Sequence, residues 1–251
     1  MPTDVAAVPE AILEEKVLDK GFVRLIEFMG GDPGVVLGAR VSYAQGMKGE
    51  EKDKKLIFYL LEHGHLSPLE QAVFKFHIKL PIFVMRQLVR HRVASLNEES
   101  ARYREVNDEF YIPDQFRRQD VKNKQGSVVD SQWDQEELKN SYTQTIQTAH
   151  ATYKQLLAAG VAREMSRMVL PVAFYTQIYW TINARSLMNF VVLRAEEHAQ
   201  WEIQEYALVL SKFFKMKMAW TWEAFLRFVW KGGNPAIDAQ KAALGKGELG
   251  E

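Results

Sequence analysis

The patterning of this chain predicts an α+β fold: an antiparallel sheet packed with helices in a single-domain protomer. Three observations carry that expectation. Residues 22–28 and 74–80 alternate with period two, and 172–182 is rich in aromatic and β-branched residues. Longer segments, 134–159 and 184–217, repeat apolar residues every three or four positions. Strands and helices follow one another without a regular βαβ rhythm, which separates the pattern from a doubly wound sheet.

Taken in order, Phe22, Arg24, Ile26 and Phe28 alternate with Val23, Leu25 and Glu27, as in a mostly buried strand. Asp32-Pro33 reads as an N-cap with proline at the first helical position, opening a short helix toward Ser42. A helix over 50–62 is marked by Leu56, Tyr59, Leu60 and His63. Ser67-Pro68-Leu69-Glu70 has the spacing of a capping box. Phe74, Phe76, Ile78 and Leu80 then alternate with Lys75, His77 and Lys79, predicting a strand with one wet face. Pro81 opens a helix through Met85, Leu88 and Val89.

Residues 114–133 are polar and aperiodic, a surface excursion. A long helix over 134–159 buries Leu138, Tyr142, Ile146, Ala149, Tyr153 and Leu156 and stops at Gly160. A short helix with Arg163 and Arg167 ends at Pro171, and the strand over 172–182 follows. The pattern is helical from Ala184 to about Lys217 and again from Trp220 to Trp230. One domain thus covers 1–231, and 232–251 reads as a flexible tail.

Composition removes several function classes. At 251 residues, 47% apolar and 25% charged, the chain has ample material for a core. Its 32 basic and 32 acidic residues cancel, which argues against a coat for nucleic acid. The absence of cysteine excludes disulfides, thiolate metal sites and a cysteine nucleophile. The six histidines show no HExxH spacing, so no metal is expected, and neither common glycine-rich nucleotide loop is present. No apolar run reaches the roughly 18 residues of a membrane span. The first fifteen residues lack a basic segment followed by an apolar one, so a cytoplasmic address is expected.

The densest polar constellation runs from Arg90 to Arg104: four arginines, His91, Ser95, Asn97 and Ser100, directly after an apolar helix. Guanidinium forks match phosphate and carboxylate, and Ser and Asn add shorter hydrogen bonds. A solvated charge run explains such a cluster equally well by composition alone. The apolar helix feeding it favours a cluster emerging from the core toward an anionic small molecule.

RHRVASLNEESARY (90–103) fits every fixed position of the RHRxxSxNxxSxRY signature, and the chain resembles flavin-dependent thymidylate synthases. The likeness extends to HGHLSPLE (63–70), REMSRMVLP (163–171) and NARSLMNFVVLRAEEHAQWEI (183–203), and covers about 17–231. It implies reductive methylation of dUMP to dTMP, with FAD bound and 5,10-methylenetetrahydrofolate and NADPH as co-substrates. Flavin would stand in for the cysteine nucleophile that this chain lacks.

The resemblance also implies roles residue by residue. Gln87, Arg90, Glu98, Glu99, Ser100, Ala101, Arg102, Arg167 and Arg194 would hold dUMP, and Arg194 would activate the uracil. Ser67, Glu70, Arg90, His91, Arg92, Val93, Asn97, Glu98, Asn183, Arg185, Asn189, Leu193 and His198 would contact FAD. His65 would stand near the folate or nicotinamide entrance. Ala101 departs from the glycine many relatives carry. From spacing alone, Ser67 and Glu70 are explained by the capping box, and Ser100 by an N-cap role.

Arg185 and Asn189 are four residues apart, as are Arg194 and His198, so each pair would share a helix face. Nine residues separate the pairs, about two and a half turns, so on one continuous helix they would point in opposite directions. Either the helix breaks, or the pairs serve different copies of the site. The homotetramer implied by the resemblance, with sites shared between subunits, suits the second option. An RNA-binding module or another flavoenzyme acting on a nucleotide are the competing readings.

Overall fold

The computed structural model describes residues 13–41, 45–129 and 132–246. A five-stranded sheet runs in the order β1-β2-β3-β7-β4, with every neighbouring pair antiparallel. Its strands are β1 (Leu13–Val17), β2 (Gly21–Met29), β3 (Val73–Pro81), β4 (Ser95–Glu98) and β7 (Tyr175–Asn183). Gly21 closes the β1–β2 turn, where a Cβ would lie 2.1 Å from the Tyr206 hydroxyl, so no side chain fits.

The alternation in β3 is realised: Phe74, Phe76, Ile78 and Leu80 are fully buried, while Lys75, His77 and Lys79 line the opposite face. β2 was expected to be mostly buried, but only Val23 and Leu25 of its expected core set are buried. Helices cover a single face of the sheet, and a register shift between Leu25 and Glu27 turns the end of the strand outward.

The covering helices are α1 (Gly31–Arg40), α2 (Glu50–Glu62), α3 (Ile82–Leu88), α6 (Ala184–Arg194), α7 (Trp201–Lys217) and α8 (Ala219–Ala224), the last running into a π turn at Phe225–Val229. Their apolar faces meet the sheet in one core that includes Phe74, Phe76, Trp180, Phe190, Phe213, Phe214 and Phe225. Each such buried ring contributes about 1.5–3 kcal/mol. α4 (Gln135–Ala158) and the short α5 (Arg163–Ser166) lie at the sheet's end. There Ile146, Phe110, Ala173 and Phe174 form a second, smaller core.

Several expectations are corrected. Asp32 is not an N-cap: it lies inside the first turn of α1, whose cap position is Gly30. Its buried carboxylate instead accepts from Trp220 N (2.9 Å), Thr221 N (3.1 Å) and Thr221 Oγ1 (2.6 Å), capping α8 from a distance. Ser42, toward which α1 was expected to extend, lies outside the described residues. The capping box at 67–70 does not form, because Ser67 begins a 3₁₀ turn (Ser67–Gln71) with Leu66 at the cap and no side-chain capping bond.

In α4 the Asp134 cap holds, with its carboxylate accepting from Glu137 N at 3.0 Å. Of the expected stripe only Ile146 and Tyr153 are buried. The 114–133 excursion contains a hairpin, β5 (Arg117–Gln119) paired with β6 (Ser127–Val129). The segment expected as a flexible tail carries α9 (Pro235–Lys246), with Ile237 fully buried in the main core. No described helix is long and apolar enough to cross a membrane.

Candidate active site

The long helical pattern over 184–217 is broken. α6 ends at Arg194, and 195–200 are irregular before α7 begins at Trp201. The cause is visible in the residues: after buried Ala195 the chain runs through Glu196-Glu197-His198-Ala199-Gln200, none of them buried, and burial resumes only at Glu202 and Ile203. Arg194 and His198 therefore do not share a helix face.

At the C-terminal end of α6, Arg194 Nε donates to His91 Nε2 at 3.0 Å, and its terminal nitrogen reaches the Gln87 carbonyl at 3.4 Å. Because Nε2 accepts, the imidazole is neutral with its proton on Nδ1. Burial, and then the Arg194 charge, lower the His91 pKa to about 4. Burial also lowers the Arg194 pKa, with nearby Arg90 acting in the same direction. The His91 ring is held edge-on to Phe190 at 4.8 Å.

Around this pair lies a cavity of about 830 Å³. It gathers Glu70, Arg90, His91, Arg92, Val93, Arg185, Asn189, Leu193 and Arg194 of the expected flavin and nucleotide residues. Leu66, Met188, Val192 and Val229 supply an apolar wall that sequence reasoning did not single out. The charge run lies at the mouth of this cavity rather than inside the core: Arg90 and Arg92 are exposed. Glu70, freed from any capping role, holds Arg185 across 2.7 Å. Among the described residues, Arg90, Arg92 and Arg194 have no carboxylate partner.

A second cavity of about 310 Å³ collects Glu98, Glu99, Ser100, Ala101 and Arg167. The signature segment reaches it through β4, an edge strand whose four residues are all exposed. Thr176 of β7 donates to Glu98 Oε1 at 2.8 Å, and Arg104 pairs with Glu99 at 3.1 Å. Burial raises the Glu99 pKa, while Arg104 acts the other way. Ser100 Oγ accepts from Arg102 N at 3.3 Å, a local turn contact. Ile82, Arg104, Leu170, Phe174, Tyr175 and Thr176 also line this cavity and were not expected. Arg104 closes the polar constellation read from the sequence, but no ligand role was expected of it.

The remaining expected residues lie outside both cavities. His198 faces a polar groove beneath the β5–β6 hairpin, 3.3 Å from Asn123. Asn183 caps α6, its Oδ1 accepting from Ser186 N at 2.9 Å. Gln87 donates to Gln200 at 2.6 Å, and Arg102 pairs with Glu164 at 3.2 Å. Asn97 stands on β4 opposite Tyr179. Ser67 starts the 3₁₀ turn, and His65 meets Tyr59 edge-on at 5.9 Å in the preceding loop. Among the described residues no group of three or more His, Asp and Glu could hold a metal ion.

The chain is similar in sequence and fold to known proteins. Residues 24–218 match the family described as thymidylate synthase complementing protein. A flavin-dependent thymidylate synthase from Kosmotoga olearia is 58% identical over 221 residues, 88% of this chain and 96% of the relative. Those from Thermosipho africanus (56%; 88% and 97%) and Thermus thermophilus (46%; 89% and 82%) are similar too. Among solved structures, the UMP/dUMP methylase PolB from Streptomyces cacaoi, bound with 5-Br dUMP, superposes with a TM-score of 0.78. It is 35% identical, with 85% of this chain and 98% of that one covered. The chain belongs to the thymidylate synthase complementing protein family, the flavin-dependent thymidylate synthases.

Proposed function

We propose that this chain methylates dUMP reductively to dTMP in the cytoplasm, with 5,10-methylenetetrahydrofolate as carbon donor and NADPH as reductant. FAD would occupy the larger cavity. The carrying observation is the composition of that cavity: guanidinium groups without carboxylate partners facing an apolar wall. Such a lining suits a ligand with a flat ring and an anionic diphosphate. A bound flavin supplies redox chemistry that no side chain of this cysteine-free chain offers.

Within that cavity Arg90 and Arg92 would offset the ligand's negative charge, and Met188, Val192 and Leu193 would pack against its ring. Asn189 and the Glu70–Arg185 pair would fix its polar edge. Ser67, Asn97, Asn183 and His198, which lie outside the cavity in one protomer, would reach flavin at the junction between protomers, with His65 at the entrance.

dUMP would be held by Ser100, Ala101 and Arg167 of the smaller cavity, with Glu98 fixed by Thr176 and Glu99 by Arg104. Arg102 and Gln87 would close around it from the rim. Arg194, aimed by neutral His91, would remain a cation and stabilise negative charge developing on the uracil. His91 is a poor proton donor at neutral pH, because it carries its second proton only below about pH 4.

The two cavities share no lining residue. In a homotetramer, neighbouring protomers would bring Arg194 and the Ser100–Arg167 group onto one nucleotide. The names of the relatives and the 5-Br dUMP bound to PolB support this reading. Its test is tritium release from labelled dUMP by the purified holoprotein with folate and NADPH. Arg194→Ala should abolish release with flavin still bound; retained release would remove Arg194 from the uracil.

A further inference from the structure

The segment 232–246 lies beyond the 24–218 family match, yet it touches the end of α6. Asn234 is only 4% exposed, and two helix ends meet at its side chain. Its Nδ2 donates to the Ala195 carbonyl at 2.8 Å. Its Oδ1 accepts from Ala236 N at 3.0 Å, and its own carbonyl accepts from Ile237 N and Asp238 N, so it also caps α9. Ala195 is fully buried and follows Arg194 directly. The last carbonyls of a helix lack partners within the helix, and an amide donor there fixes where the helix ends.

The approach to this contact is itself constrained. Gly232 and Gly233 take φ of 103° and 105°, a region L side chains rarely adopt, as the chain turns toward the α6–α7 break. A Cβ on Gly233 would meet Glu196 and Glu197 at 3.6 Å. Asp238 secures the turn by accepting from Trp230 Nε1 at 2.7 Å and from Gly233 N at 3.2 Å. Arg194 is thereby bracketed, with His91 holding its head group and Asn234 holding the backbone one residue on.

We infer that Asn234 is a positioning residue for Arg194: the C-terminal segment sets the end of α6, and through it the guanidinium, without touching a ligand. This inference rests on the uracil role of Arg194 stated above. The full-length holoprotein tests it through four forms: native, Asn234→Asp, Arg194→Ala and Lys241→Met. Asn234→Asp keeps the α9 cap oxygen and removes the donor to Ala195. Lys241→Met loosens α9 by removing a 2.7 Å bond to the Trp230 carbonyl and leaves the Asn234 donor to Ala195 in place.

For Asn234→Asp we expect kcat for dTMP formation to fall about 10- to 100-fold, the scale of a roughly 1 Å misplacement. Flavin content and the KM for dUMP should be little changed. Lys241→Met should lower Tm and keep native kcat. Native kcat in Asn234→Asp with only Tm reduced would overturn the inference. Asn234→Ser, which can cap but is too short to reach Ala195, supplies the same comparison should the aspartate variant not fold. If Arg194→Ala itself turns over, the uracil role fails; if it is dead while Asn234→Asp is native, the positioning inference alone fails.

Discussion

His91 shows how one residue's surroundings set its chemistry. Buried beside a guanidinium, its pKa falls from the ordinary 6.5 to about 4. Between those values the unfolded chain takes up a proton that the folded site refuses, so stability falls as pH drops from 6.5 toward 4. Urea unfolding of flavin-free protein should therefore show a flatter pH dependence over that window in His91→Gln than in the native chain. Equal slopes would mean that His91 is not held neutral. Glu70 gives a second residue-scale lesson. Its spacing after Ser67 is fully accounted for by a capping box, yet the carboxylate turns to Arg185, 115 residues away. Local spacing cannot register a partner that distant. The signature residues, by contrast, were legible because a fixed motif carried them, and two cavities do receive most of them.

At the scale of elements, legibility followed locality. α2 was readable to the residue and β3 to within one residue at each end, because a single buried face imposes its period on neighbouring positions. β4 was not readable: its four residues are all exposed, and it exists as a strand only through pairing with β7 some 80 residues later. The β5–β6 hairpin was hidden for a similar reason. It is fastened by Arg117, whose guanidinium reaches the buried Glu202 at 2.7 Å, in the first turn of α7, and lies over Trp201. Tyr111 donates to the same carboxylate at 3.2 Å. Removing Arg117 leaves a buried charge with a single neutral donor, so Arg117→Ala should cost about 3–5 kcal/mol in urea unfolding. The double variant Arg117→Met/Glu202→Met should recover most of that loss. A loss under 1 kcal/mol in the single variant would show that the hairpin is not fastened there. Asp32 makes a parallel case, since it caps α8 rather than α1. Asp32→Ala should cost at least the ~1 kcal/mol of an ordinary cap. An unchanged midpoint would contradict the three bonds it accepts.

On the scale of the whole molecule, seven of the nine expected nucleotide residues fall into two cavities with no common member, Gln87 and Arg102 lying outside both, and sequence order gave no hint of that division. If neighbouring protomers complete each site, then Arg194→Ala and Arg167→Ala are lesions of different faces. Inactive preparations of the two, mixed and allowed to exchange subunits, should regain part of the dTMP-forming activity. A mixture that stays inactive despite proven exchange would place both arginines on a site within one protomer. In the proposed function, guanidinium groups would hold a nucleotide against a flavin that provides the reactivity the side chains lack. That arrangement is tested most directly by following dTMP formation and flavin absorbance together in the native holoprotein and in Arg194→Ala, supplied with dUMP, methylenetetrahydrofolate and NADPH. Both proteins should be yellow as isolated, before NADPH is added, and only the native one should form product. Colourless protein that retains no flavin, or product from the variant at the native rate, would contradict the arrangement.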